Sequence, residues 1–321
     1  MKYAVTLGLW QDRVPEEALA TARAAEAAGY DELWIGEMAT WDVFALATAI
    51  GAAAPKLGLT LGPLPVTVRD PTMIAMGTAS VAALTGSHVD VALGTSSDVV
   101  VRDWHGRSRK GAAAALGESA QVVRELLDGK KAASGYRLRV APPRSSVTIA
   151  AFGPSAVEAA AAHADRMVVN LVSPATAGRL VEDLHDAAKR LGTEPPRVAA
   201  WVVGALNPKP AALDQLRRGI VGYLAAPGYA DMFRAEGFGA LVDFALTRPH
   251  PRELLEVIDV SLIQAIGLVG DLTQIRDQAA AYAAAGIDEL AIVPACTDDD
   301  PAGAATLAGL RELVNDAAAS R

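Results

Sequence analysis

Ala28-Gly-Tyr-Asp-Glu-Leu-Trp-Ile-Gly36, near the start of the chain, is nearly copied by Ala285-Gly-Ile-Asp-Glu-Leu-Ala-Ile-Val-Pro294 near its end. Each copy is a helical stretch closed by glycine and followed by a short apolar run. Between them, strand-like and helix-like segments alternate throughout. A chain so arranged has few ways to bury its strands, and a parallel sheet closed into a (β/α)8 TIM barrel is the chief one. In such a barrel the chemistry belongs to the loops that follow the strands.

The expected strands run from Tyr3 to Leu9, Glu32 to Gly36, Leu57 to Leu61, Val89 to Leu93, Val147 to Ala151, Arg166 to Leu171, Val198 to Leu206 and Glu289 to Val293. The first helix opens with Pro15 and stops at Gly29, the usual asymmetry of helix ends. The last one is expected over Ala302 to Ala318. Two insertions are expected, after strands four and seven. Tyr136 to Val140 alternates like a surface strand, which predicts an inserted hairpin over 130–145. Residues 210–267 form a long, mostly helical stretch, which predicts a cap over the barrel mouth. The whole of 1–321 reads as one domain.

Composition narrows the function. With 51% hydrophobic residues, and 29 basic against 37 acidic giving a net charge of −8, nothing recommends nucleic acid or an anionic membrane as a partner. The single Cys296 excludes an internal disulfide and a multi-cysteine metal site. No apolar run approaches the roughly 18 residues of a membrane span, and a cytoplasmic protein is expected. His88, His163, His185 and His250 have no metal-ligand spacing, so no metal site is expected. There is no Gly-x-Ser-x-Gly elbow and no Gly-x-Gly-x-x-Gly turn.

Five clusters fall at strand ends. Glu37 with Trp41 and Asp42 follows strand two, as a ligand-positioning pair or as the cap of the next helix. Gly62-Pro63-Leu64-Pro65 demands an irregular strand exit, where an X-Pro bond makes a cis peptide inexpensive, and Arg69 beyond it can tie the loop to a carboxylate. Thr95, Ser96 and Ser97 after Gly94 can present donors to an anion or form an ordinary turn. Gly153-Pro154-Ser155 opens a helix whose first N–H groups can receive a phosphate, or whose serine is a plain cap. His105, in the irregular loop Gly94 to Gly111, can act as a proton donor, a ligand contact or neither.

Together with Tyr223-Leu-Ala-Ala-Pro-Gly-Tyr229, Glu236-Gly-Phe238 and Gly270-Asp271, these stretches resemble the bacterial luciferase-like monooxygenase family, in particular its branch using the deazaflavin coenzyme F420. The resemblance implies a luciferase-like TIM barrel, a homodimer and a small-molecule substrate. It implies hydride transfer between F420 and an organic compound, with the ring propped by a cis-peptide bulge at Gly62-Pro63. Glu37 maps beside the ring, and Thr95, Ser96 and Ser97 to the loop beside the ring and ribityl chain; Trp41, Leu64 and Pro65 are further candidates for binding the coenzyme. Gly153, Pro154 and Ser155 map to the phosphate. Many relatives carry histidine directly after the strand-two acid, whereas this chain has Met38, which cannot relay a proton. A reductase taking its proton from His105, Glu37 or water is then implied. The alternatives are a monooxygenase using reduced FMN and molecular oxygen, and a non-catalytic cofactor-binding relative.

Overall fold

Successive side chains along a β-strand face opposite sides of the sheet, and in this chain the two sets differ in chemistry. The computed structural model describes residues 1–9, 12–140 and 144–313. Its strands and helices alternate as β1 (Lys2–Thr6), α1 (Pro15–Ala28), β2 (Glu32–Ile35), α2 (Val43–Ala53), β3 (Gly58–Pro65), α3 (Pro71–Thr85), β4 (Val89–Gly94), α4 (Ala112–Leu127), β5 (Val147–Ala150), α5 (Pro154–His163), β6 (Arg166–Asn170), α6 (Pro174–Leu191) and β7 (Arg197–Leu206). There follow α7 (Pro210–Ile220), α8 (Tyr229–Ala235), α9 (Gly239–Leu246), α10 (Pro251–Val257), α11 (Val260–Ala265), β8 (Gly267–Gly270), α12 (Leu272–Ala284), β9 (Glu289–Pro294) and α13 (Ala304–Gly309).

All pairings between these strands are parallel, and β1 to β7 with β9 close a ring through β1–β9 and β7–β9 contacts. This is the (β/α)8 barrel that the alternation predicts. The outward residues, among them Leu33, Ile35, Leu61, Leu93, Ile149 and Ile292, are fully buried against the helices. The inward residues form a separate cluster of Ala4, Trp34, Ala92, Val168, Ala199, Trp201 and Ala291. The alanines leave room for two indoles, which meet edge-on with ring centroids 5.7 Å apart. Beneath them, at the strand N-termini, Arg166 joins the carboxylates of Glu32 and Glu289. The interior is thus packed in layers, and the mouth at the strand C-termini is where a barrel of this kind holds its ligands.

The departures from expectation lie outside the ring. Among the described residues of 130–145 no strand forms, and the predicted hairpin is replaced by turns, with the Ala132 N–H bonded to the Tyr136 carbonyl at 2.9 Å. The Tyr136–Val140 alternation has no second strand to pair with; instead Ala132 and Leu138 bury their side chains in the core. Ala141, Pro142 and Pro143 lie outside the described residues. The expected cap stretch ends in a short strand, β8, registered with Val203 to Leu206 of β7. Four residues with glycine at both ends carry too little pattern to read as a strand. Residues 99–104 form one wide π-helical turn, closed by the His105 N–H on the Val100 carbonyl at 3.2 Å. The end of the last predicted helix, to Ala318, also lies outside the described residues.

Candidate active site

Four consecutive strand exits build one rim. At β3 the pairing with β4 slips between Leu61 and Leu64, and the Gly62–Pro63 peptide is cis, as the proline-rich exit predicts. Gly62 has a φ of 118°, and a side chain there would strike the Ala92 carbonyl oxygen at 2.2 Å, so only glycine allows the bulge. Pro63 is turned to the barrel mouth, whereas Leu64 is fully buried in the outer core. Gly94, at the end of β4, faces the Pro63 and Ala150 side chains, where a Cβ would lie 3.2 and 3.5 Å from theirs. The missing side chain leaves a flat bed between β3 and β5.

After β4, Thr95 and Ser96 are half-buried and Ser97 is exposed. Ser96 holds a φ of 56°. The Ser97 hydroxyl accepts the Val100 N–H, and the Arg109 guanidinium donates to the Thr95 hydroxyl at 3.4 Å. Arg109 also approaches Asp98 at 3.6 Å, and its Nε is buried without a partner. Sequence reasoning missed this arginine because it lies fourteen residues beyond Thr95 in a loop without period. After β5, Gly153 caps α5 with no side-chain hydrogen bond, Pro154 takes the first helical position, and Ser155 is exposed. Since its side chain is not the cap, the open first turn is available to an anion.

At β2 the structure takes the plainer alternatives that the sequence offers: Arg69 ties the β3 loop to a carboxylate, and an acidic residue caps the next helix. The half-buried Glu37 carboxylate is engaged from both oxygens by Arg69, whose Nε lies 2.5 Å from Oε2. Arg69 also bonds Asp42 at 2.5 Å and lies over the Phe44 ring, 5.0 Å from its centroid. The hydrogen bond to Glu37 raises the Arg69 pKa further above its usual value, against the opposing effect of burial. Asp42 caps α2 by accepting from the Phe44 and Ala45 N–H groups. Burial acts to raise its carboxyl, and these bonds together with Arg69 hold it below its usual range. Glu37 therefore ties the β2 exit to the β3 loop. Replacing Arg69 with glutamine is expected to cost about 2 kcal/mol in chemical denaturation, because Glu37 loses charge-assisted bonds in a half-buried place. A variant as stable as the parent would show that water serves Glu37 equally well.

Two expected residues, Trp41 and His105, do not line the cleft at the mouth. Trp41 donates its indole N–H to the Arg13 carbonyl at 3.3 Å and lines a different cleft, between α1 and α7. His105 is exposed on the surface loop.

The cleft at the mouth is instead walled by Leu7, Leu9, Glu37 and Met38 on one side and by Pro63, Trp201 and Tyr223 on the other. Tyr223 and Tyr229 come from the insertion after β7, their rings 5.0 Å apart, with Phe152 against Tyr229 at 4.6 Å. The Tyr229 hydroxyl donates to the Asn170 carbonyl at 2.8 Å. Burial pushes both phenols up, so they stay neutral donors. Among the described residues no group of His, Cys, Asp and Glu is placed to hold a metal ion. No described helix is long and apolar enough to cross a membrane.

A parallel eight-stranded barrel with a bulged β3 exit and a glycine-cleared bed beside it defines an enzyme scaffold with its site at the strand C-termini. The chain belongs to the luciferase-like monooxygenase family, whose profile matches residues 4–289. It is 26% identical over 328 residues to a Mycobacterium tuberculosis (strain ATCC 25618 / H37Rv) protein named, provisionally, a coenzyme F420-dependent oxidoreductase, covering 91% of this chain and 94% of that one. Its fold matches the coenzyme F420-dependent tetrahydromethanopterin reductase of Methanopyrus kandleri with a TM-score of 0.82 at 16% identity, over 99% of each chain. It also matches an F420-dependent secondary alcohol dehydrogenase in complex with an F420-acetone adduct, with a TM-score of 0.78 at 16% identity over 98% of each chain.

Proposed function

We propose that this chain is an oxidoreductase that transfers a hydride between coenzyme F420 and a small organic compound. The observation that carries the reading is the bed between β3 and β5: the bulge lifts Pro63 while Gly94 leaves the neighbouring exit bare, which suits one face of a flat ring. The relative of known name across nearly the whole chain supports F420 over FMN.

The remaining exits fit the rest of such a coenzyme. Thr95 and Ser96 border the bed, with the Arg109 guanidinium behind them. The open first turn of α5 lies one strand further on and suits a phosphate, whose charge the helix dipole and the N–H groups favour. In its reduced form the bound deazaflavin supplies a hydride from C5; the protein supplies position and dryness. The Arg69 grip fixes Glu37 at the cleft edge, and Met38, Leu7 and Leu9 exclude water beside it. Met38 offers no proton, so the proton reaches the product from water or from a neighbouring hydroxyl.

Titration of the purified protein with F420 and with FMN tests the reading, and saturation by F420 at lower concentration is expected. Ser155→Asp is expected to weaken F420 binding by at least about fivefold, because it sets a second negative charge beside the phosphate. Unchanged affinity would remove the phosphate from α5. Tighter binding of reduced FMN, with oxygen consumed, would favour the monooxygenase reading.

A further inference from the structure

Between Gly94 and Gly111 the loop after β4 carries four cations, Arg102, Arg107, Arg109 and Lys110, against two acids, Asp98 and Asp103, in a chain whose net charge is −8. Both acids are engaged within the loop. Arg102 pairs with Asp103 at 2.7 Å, and Arg109 approaches Asp98 at 3.6 Å. Arg107 and Lys110 are exposed, and among the described residues neither is paired with a carboxylate. Their backbone is tied down, with the Arg107 N–H on the Val101 carbonyl at 2.8 Å and the Lys110 N–H on the Ser108 hydroxyl at 3.1 Å. The like charges are thus held close together on an ordered segment, where an anion from solution relieves their repulsion.

The barrel sets where these cations stand. α4 and α5 follow adjacent parallel strands and pack side by side, so both begin at the mouth. Lys110 and Gly111 lead directly into α4, and Gly111 caps that helix with no side-chain hydrogen bond. The first turn of α4 therefore adds its own N–H groups and dipole to the cationic end. The start of α5, the proposed phosphate seat, is one helix spacing away, about 10 Å. On α5 itself the one carboxylate, Glu158, stands about a full turn further from the mouth. The opposite flank of α5, at the start of α6, has a different character. Glu236 accepts the Ser173 hydroxyl there and Asp231 is exposed, while Arg179 is bonded to Thr176 at 2.6 Å and Arg234 is paired with Asp243 at 2.7 Å.

We infer that Arg107 and Lys110, with Arg109 and the open start of α4, hold the anionic glutamate tail of the coenzyme. The inference rests on the F420 reading and adds to it the residues that take the far end of the molecule. F420 continues from its phosphate through a lactyl group into γ-linked glutamates, each with a carboxylate, whereas FMN ends at its phosphate. A tail leaving α5 can turn toward α6 or toward α4, and the charges favour α4. An extended residue covers about 3.5 Å, and a γ-linked one more, so the lactyl group and the first two glutamates span the distance.

The test uses the full-length protein and two forms of oxidised F420, one ending at the lactyl group and one carrying at least four glutamates, each titrated through its deazaflavin fluorescence at low salt. The long form is expected to bind about fivefold tighter or more. In the double variant Arg107→Gln/Lys110→Gln this advantage is expected to fall below about twofold, with the Kd of the short form within about twofold of the parent. Raising the salt from about 0.05 M to about 0.5 M should erase most of the parent's advantage, because screening shortens the reach of exposed charges to a few ångströms. Equal binding of the two forms by the parent, or a double variant that keeps the full advantage, overturns the inference. A variant that weakens both forms alike overturns it too, since the cations would then serve the phosphate. Failure of both forms to saturate the parent overturns the F420 reading instead.

Discussion

Arg166→Met is expected to lose about 3–5 kcal/mol of folding stability, because it leaves two buried carboxylates without their cation. Arg166 is 2% exposed and donates to Glu289 at 2.8 Å, to Glu32 at 2.9 Å, to Thr60 at 2.9 Å and to Thr148 at 3.2 Å. Its guanidinium also lies over the Trp34 ring, 4.2 Å from the centroid. One arginine serves two acids, and they respond in opposite directions. Burial acts to raise the Glu32 carboxyl, but the charge and hydrogen bonds of Arg166 outweigh it and hold Glu32 below its usual range. Burial and the Glu32 charge hold Glu289 above its usual range, against Arg166. Glu32 thus contributes stability that is lost as the pH falls through its lowered value, and Glu289 contributes stability that is lost as the pH rises through its raised one. Without the arginine both carboxyls are raised by burial, so the variant is favoured by acid. Urea denaturation should therefore show a larger deficit at mildly alkaline than at mildly acidic pH. A deficit that does not change with pH would mean that water has entered the layer and solvated both acids.

This polar layer explains the repeat that opens the sequence. The Asp-Glu-Leu runs at Asp31 and Asp288 place Glu32 and Glu289 at the first inward positions of β2 and β9, and both reach the same arginine. Sequence alone shows the repetition and the alternation of strand with helix, and these suffice for the barrel. It does not show that the two glutamates meet, because acids at strand starts look like solvated ends until the ring closes around Arg166. The Asp288 carboxylate also accepts the Val198 N–H at 2.8 Å, a contact 90 residues apart that no local pattern encodes.

The candidate site was legible where the backbone itself is unusual. Prolines and glycine at the β3 exit announce a bulge, and a proline after glycine announces the start of α5. Side-chain direction was not legible. Trp41 sits near Glu37 in sequence, yet its indole turns to the Arg13 carbonyl; that Arg69 ties its loop to a carboxylate was expected, but not that the carboxylate is Glu37, 32 residues away.

The second large effect concerns the bulge. Gly62→Ala is expected to destabilise the fold by about 3 kcal/mol and to abolish F420 binding, since the φ of 118° is barely accessible to alanine and its Cβ would overlap backbone on two sides. The Ala92 carbonyl at 2.2 Å and the Leu64 nitrogen at 2.6 Å belong to strands that pair on both sides of the slip, so neither can withdraw without breaking ladder bonds. The chain can relieve the clash only by straightening β3, which moves Pro63 off the mouth and removes the bed. Gly94→Ala makes the informative contrast. Its Cβ would meet side-chain atoms alone, Pro63 at 3.2 Å and Ala150 at 3.5 Å, so the fold should survive with little loss. The added methyl nonetheless stands on the bed itself, so F420 affinity should fall by about tenfold or more, for steric reasons rather than through unfolding. Thermal melts and an F420 titration on both variants separate the effects. If Gly94→Ala binds F420 as the parent does while Gly62→Ala is merely unstable, the bulge serves the architecture of β3 and the ring lies elsewhere on the rim.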